Sequence, residues 1–90
     1  MNNREHNYAF EIFLRAEVSR IEAQARFPQP NYVLLKVAEE AGEVVKAGVH
    51  YAENRETWEN VEAKTIQAIA MILRFLVEGD EKNGIIPPKK

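Results

Sequence analysis

The stretch WENVEAKTIQAIAMILRFLVE, Trp58 to Glu78, decides how this chain folds. Read at helical period, Trp58, Val61, Ile66, Ile69, Ile72, Leu73, Phe75, Leu76 and Val77, with the alanines between them, cover well over half of the circumference. A helix that apolar has to be buried from two or more sides. Thr57 is placed to cap its start and Gly79-Asp80 to stop it. Its one narrow polar stripe runs through Asn60, Lys64, Gln67, Met71, Arg74 and Glu78.

Working outward, Glu53-Asn54-Arg55 leads back to a second helix over about residues 32–52, for which Asn31 is the expected N-cap. Ahead of it, Phe27-Pro28-Gln29-Pro30 ends a first helix of about residues 3–26, because each proline lacks an amide donor and restricts the residue before it. In that helix Tyr8, Ala9, Ile12, Phe13, Ala16 and Ile21 recur at steps that put them on one side. The tail, residues 80–90, is too short and proline-bearing to continue the third helix. Two fates remain open for it: disorder, or docking on a neighbouring subunit through Ile85 and Ile86. The pattern thus predicts an all-α fold and a single domain over residues 1–90. Three helices cannot easily enclose so much apolar surface. The expected solution is a helical hairpin or three-helix protomer packing with a copy of itself into a larger bundle, as a dimer or tetramer.

Composition narrows the chemistry. There is no cysteine, so disulfides and thiolate metal sites are excluded, and oxygen ligands and two histidines remain. A net charge of −2 with scattered basic residues lacks the concentrated basic face that a nucleic-acid polymer demands. The opening MNNREHNYAFEIFLRAE has no apolar run long enough for a signal peptide or a membrane span. A cytoplasmic protein with no membrane partner is the expectation.

On the second helix, Glu39-Glu40-Ala41-Gly42-Glu43 crowds three carboxylates together. At the helical step they share a sector of about 100°, outside the apolar arc of Val33, Leu34, Val37, Ala38, Ala41, Val44, Val45 and Gly48. Glu40 and Glu43 stack on one face and can aim at one point, where they repel unless a cation sits between them. Mg²⁺ suits such a place, since it takes carboxylate oxygens together with water and substrate phosphates. Lys36 and Lys46 make a plainer alternative, which spacing alone favours: a solvated stripe with surface ion pairs. Ala41 and Gly42 lean toward the cation, because small residues let a ligand or a second backbone approach.

The segment Leu34-Leu35-Lys36-Val37-Ala38-Glu39-Glu40-Ala41-Gly42-Glu43-Val44-Val45-Lys46-Ala47 resembles the first motif, EExxE, of the MazG-like all-α nucleoside triphosphate pyrophosphohydrolases. The layout of helix, proline-containing link, EExxE helix, short connection and apolar helix is similar from about Tyr8 to Glu78. The resemblance implies a Mg²⁺-dependent hydrolase that cleaves a nucleotide between its α and β phosphates, in a dimer or a dimer of dimers. By that likeness Glu40 and Glu43 are metal ligands, and Glu39 is a nearby ligand or orients the attacking water. The family's second motif, ExxD, departs here: its acids fall on Lys64 and Gln67. A glutamine carbonyl still coordinates a cation, whereas a lysine carries the cation's own sign and is expected to pair with Glu40 or Glu43. A second register, Glu59 and Glu62, projects on the apolar side and is better explained by the helix dipole.

Further positive partners for a triphosphate are Lys46 and Arg74, beside Lys64 and Gln67. His50 follows Glu43 on the same sector. Tyr51 and Trp58 stand near helix ends, where packing explains them as well as base stacking does. His6 sits in an N-terminal turn expected to fray. Three functions are compatible with these residues: a Mg²⁺-dependent nucleoside triphosphate pyrophosphohydrolase, a non-catalytic nucleotide- or protein-binding oligomer of the same build, and a helical subunit of a larger complex.

Overall fold

A computed structural model describes residues 2–89. The helices form where the pattern places them: α1 at Asn3–Arg26, α2 at Val33–Ala52 and α3 at Trp58–Glu78. A short 3-10 turn, Glu81–Asn83, follows, and one antiparallel bridge joins Asp80 to Ile85. Two starts are capped locally. The Asn2 side chain accepts from the Glu5 amide at 2.8 Å, and the Thr57 hydroxyl accepts from the Asn60 amide at 3.1 Å.

The start of α2 is different, and it corrects the expectation for Asn31. That carboxamide oxygen accepts from the adjacent Tyr32 amide at 2.7 Å, while its nitrogen donates to the Phe27 carbonyl at 3.3 Å, so Asn31 closes the linker instead of capping the helix. α2 begins at Val33, with no side-chain cap from its own N-cap residue, Tyr32. Its acceptor arrives from the far end of the chain: the Leu34 amide donates to Asp80 Oδ2 at 2.9 Å.

Asp80 gets there because the tail folds back on its own chain. Gly79 sits at φ +74, and a Cβ on it would lie 2.2 Å from the Ile85 carbonyl oxygen, so only glycine allows so close a return. The Asp80 and Ile85 backbones then exchange hydrogen bonds of 2.9 and 3.0 Å. Ile86 remains 70% exposed. The Asp80 side chain is fully buried and also accepts from the Asn83 amide at 3.1 Å and the Asn83 side-chain nitrogen at 2.9 Å.

These donors hold the Asp80 carboxyl below the ordinary value of 3.8; the Leu34 amide acts most strongly, burial opposes it, and Asn83 adds to it. A lowered native pKa stabilises the fold above the unfolded-state pKa, and the contribution is lost as pH falls through the native value. Urea unfolding of the wild type and Asp80→Asn across pH should therefore show a constant gap at neutral pH that narrows only in acid, below the ordinary carboxylate range. A gap independent of pH down to the acid limit would contradict this.

α3 lies in the middle. α1 and α2 each pack on α3 and not on one another. Ile12 and Ala16 of α1 meet Ile66 and Ile69 of α3, and the burial of Val61, Ala68, Ala70 and Met71 completes the two-sided enclosure of this helix. α2 rotates away from what its apolar arc alone suggests. Its buried and half-buried positions include Val33, Val37, Glu40, Val44 and Ala47, while Leu34, Ala38, Ala41, Val45 and Val49 stay exposed. That rotation turns the carboxylates toward α3.

Candidate functional site

With α1 and α2 on opposite flanks, α3 keeps two open sides. One carries its polar stripe, and the carboxylates of α2 border it. Near the linker, a cavity of about 210 Å³ is lined by Lys36 and Glu40 from α2, Gln67, Met71 and Arg74 from α3, and Phe27. Farther along the same stripe, a hollow of about 240 Å³ gathers Glu43, Lys46 and His50 with Glu56, Asn60 and Lys64. The residues at the positions of the departed motif, Lys64 and Gln67, thus lie opposite the EExxE helix, one beside each cavity. Helical spacing explains this: Glu40 and Glu43 are one turn apart on α2, as Lys64 and Gln67 are on α3.

The three glutamates part company. Glu39 is exposed, and its carboxylate accepts from Lys36 Nζ at 3.3 Å, the surface pairing that its spacing allowed. Glu40 is half-buried and lines the 210 Å³ cavity. Glu43, also half-buried, has Lys64 Nζ at 3.8 Å from its Oε2, with the two side chains 40% and 37% exposed. The expected partner of Lys64 is therefore Glu43. At that distance and exposure the pair is loose, worth about 1 kcal/mol or less.

Among the described residues, no three His, Asp or Glu side chains converge on one point. Mg²⁺ nevertheless seldom relies on a cage of protein ligands; one or two carboxylates completed by water and substrate phosphates suffice. Glu40 and Glu43 are carboxylates one helical turn apart on α2, each lining its own hollow, and oxygen donors of this kind suit the ion.

Arg74 departs from the role of a free phosphate contact. It is 2% exposed, its Nε donates to Glu78 and its Nη2 to the Phe27 carbonyl, so it ties the end of α1 to the end of α3 while forming part of the cavity wall. Lys46 is exposed on the rim of the second hollow. Gln67 is exposed and makes a long contact of 3.4 Å with the Ser19 hydroxyl, leaving it easily recruited.

Asn60, which spacing places on the polar stripe, donates to Glu56 at 2.7 Å in the wall of the second hollow. Sequence reading missed Gln29, which bridges the linker to Glu78, Gly79 and Glu81. It carries no signal in spacing, because its partners lie some fifty residues away in the chain.

The other open side of α3 is apolar. A groove of about 400 Å³ runs between α1 and α3 past Tyr8, Phe13, Trp58, Thr65 and Ile69. Glu62 belongs there, accepting from the Tyr8 hydroxyl, so the Glu59/Glu62 register lies away from the carboxylates of α2. Trp58 donates to the Tyr8 hydroxyl at 3.1 Å and meets Tyr51 edge-on with centroids 5.1 Å apart, a packing role. His6 stacks with Phe10 in the first turns of α1. No helix among the described residues is long and apolar enough to cross a membrane. In comparisons with known proteins no family model matches this chain, and neither a curated protein nor a solved structure matches it significantly.

Proposed function

We propose that this chain is a MazG-like, Mg²⁺-dependent nucleoside triphosphate pyrophosphohydrolase that works as a homo-oligomer. The observation that carries the reading is the placement of Glu40 and Glu43 against the polar stripe of α3, each beside its own hollow and opposite Gln67 and Lys64. Glu40 and Glu43 would hold Mg²⁺ together with the phosphates of the nucleotide. The bound ion supplies neutralisation of phosphate charge and a lowered pKa for the attacking water. Lys64, loosely paired, is free to turn from Glu43 to a phosphate oxygen, with Lys46 and Lys36 as further positive charges on the rims. Glu39 stands outside both hollows and serves as an outer acceptor for water once Lys36 leaves it. Anhydride hydrolysis asks a protein mainly for position and charge, which this set of residues offers.

A homo-oligomer is favoured by surface area. A monomer of 10.3 kDa ordinarily exposes about 5,400 Å², whereas this chain exposes 6502 Å². The surplus of about 1,100 Å² exceeds the roughly 800 Å² that each partner buries in a standard interface.

A second reading rests on the Lys64 to Glu43 pair: an ammonium in the place of a cation would leave a nucleotide- or protein-binding module without turnover. Purified protein incubated with a panel of nucleoside triphosphates, with and without Mg²⁺, separates the two. Mg²⁺-dependent release of pyrophosphate and a monophosphate is expected. Binding of a nucleotide with no pyrophosphate from any member of the panel would favour the second reading.

A further inference from the structure

We infer that the C-terminal clasp centred on Asp80 is a positioning device: it fixes the register of α2 on α3, and with it the placement of Glu40 and Glu43 opposite Gln67 and Lys64. α2 packs closely along α3 but on no other helix. It does not touch α1, only Val33 and Ala47 among its residues are fully buried, and its ion pair with α3 is loose at 3.8 Å. Against that, Asp80 is completely buried at the end of α3, forty-six residues beyond the Leu34 amide it accepts from.

The linker is tied to the same point. Gln29 Oε1 accepts from the amides of Asn31 at 3.1 Å and Glu81 at 3.2 Å, while its nitrogen donates to Glu78 at 3.1 Å. Arg74 closes the set from below through Glu78 and the Phe27 carbonyl. These contacts grip the first turn of α2 and the chain leading into it, and nothing in α1 substitutes for them.

Geometry carries the effect to the site. A helix is stiff along its axis, so a slide of α2 by one residue moves every side chain on it by about 1.5 Å. Glu40 and Glu43 lie within the next turns after Leu34, and such a slide re-registers both against α3. All three contacts to the Asp80 carboxylate come from donors. Asparagine there must set its own NH₂ against one of them, which weakens the grip while keeping the shape. α1 meets this set only at its C-terminal end, where the Phe27 carbonyl accepts from Arg74. Its contact with α3 rests on the cluster of Ile12, Ala16, Ile66 and Ile69. The consequence for turnover rests on the pyrophosphohydrolase reading; the register itself does not.

The absence of cysteine makes a clean distance measurement possible. Spin labels on Ala38→Cys with Ala63→Cys report α2 against α3, and labels on Arg15→Cys with Ala63→Cys report α1 against α3. Each is measured by pulsed electron resonance in excess unlabelled protein, to exclude distances between copies. In Asp80→Asn the 38–63 distribution is expected to shift and broaden while the 15–63 distribution keeps its centre and width. Asn83→Ala, which removes one donor from the clasp and sits at an exposed position, should give a smaller change of the same kind, and it serves if Asp80→Asn does not fold. Unchanged 38–63 distances, or equal broadening of both pairs, would overturn the inference, since the first denies any role and the second shows general support of the fold. Pyrophosphate release measured on the same variants without labels should fall in kcat with the 38–63 change, and a protein lacking the activity altogether leaves the distance result intact.

Discussion

Alanine at Glu43 is expected to lower Mg²⁺-dependent pyrophosphate release by about 100-fold or more, the scale at which a single preorganised charge partner acts on a phosphoryl or acyl transition state. Stability should scarcely change, because the partner it leaves, Lys64, is 37% exposed and already hydrated. The companion variant, Lys64→Glu, tests the same space from the other side. Without Mg²⁺ it sets a second carboxylate where an ammonium now lies 3.8 Å from Glu43, and the two acids repel. Its melting temperature should therefore drop below that of the wild type and recover as Mg²⁺ is added. Saturation at a hundredfold excess over the dissociation constant returns about 2.7 kcal/mol. The wild type, with its ammonium in place, should respond less to Mg²⁺ alone and more to Mg²⁺ with nucleotide, whose phosphates draw Lys64 away. Activity that persists in Glu43→Ala, or a Lys64→Glu protein indifferent to Mg²⁺, would sink the assignment of this site.

How much of this could be read from the chain depends on the range over which each interaction acts. α1, α2 and α3 were legible because capping, proline breaks and apolar period are local: Thr57, Phe27-Pro28 and Gly79 act on their own neighbours. The matched spacing of Glu40 and Glu43 with Lys64 and Gln67, one turn apart on each helix, was also legible, so that the two pairs come opposite once those faces meet. The rotation of α2 was not. Its apolar arc, judged alone, centres away from Glu40, yet α3 takes Val33, Val37, Glu40 and Val44 and leaves Leu34 and Val45 outside. A hydrophobic arc records every surface a helix buries, including any against another copy, and so it overstates the one against its own neighbour. Arg74 and Asp80 failed for a further reason. Both look like surface charges in sequence, and only the packing of the helices brings them their partners, the Phe27 carbonyl at the end of α1 for Arg74 and the Leu34 amide at the start of α2 for Asp80. Asn31 lost the cap of α2 to Asp80 because a carboxylate held by three donors is a stronger acceptor than a carboxamide next to its own helix.

Lysines on the outer stripe of α1, Leu14→Lys with Val18→Lys, are expected to convert the proposed homo-oligomer to a monomer in light scattering at micromolar concentration. The stripe consists of Phe10, Leu14, Val18 and Ile21, all on the side of α1 turned from Ile12 and Ala16 and each more than half exposed, at 57, 52, 56 and 54%. A full apolar side chain contributes about 1.5–3 kcal/mol on burial, so the exposed half of each still offers about 1 kcal/mol. Doubled by two-fold symmetry, four such positions supply roughly 8 kcal/mol, the scale of a micromolar complex before the cost of association is subtracted. The stripe alone is thus marginal, and contacts beyond it must contribute; Phe13, at 55% exposure beside it, is the first available. Because the contribution is marginal, two charges per protomer, four at the two-fold axis, should shift dissociation by more than about 100-fold, at roughly 1 kcal/mol lost for each side chain. Under the proposed homo-oligomer, stability should fall together with assembly, because a partner copy would cover this surplus of exposed area. A wild type that is monomeric and fully stable at high concentration would contradict the expectation outright. An assembly that survives both lysines would transfer the interface to the open apolar side of α2 and α3, where Leu34, Val45 and Leu76 are exposed.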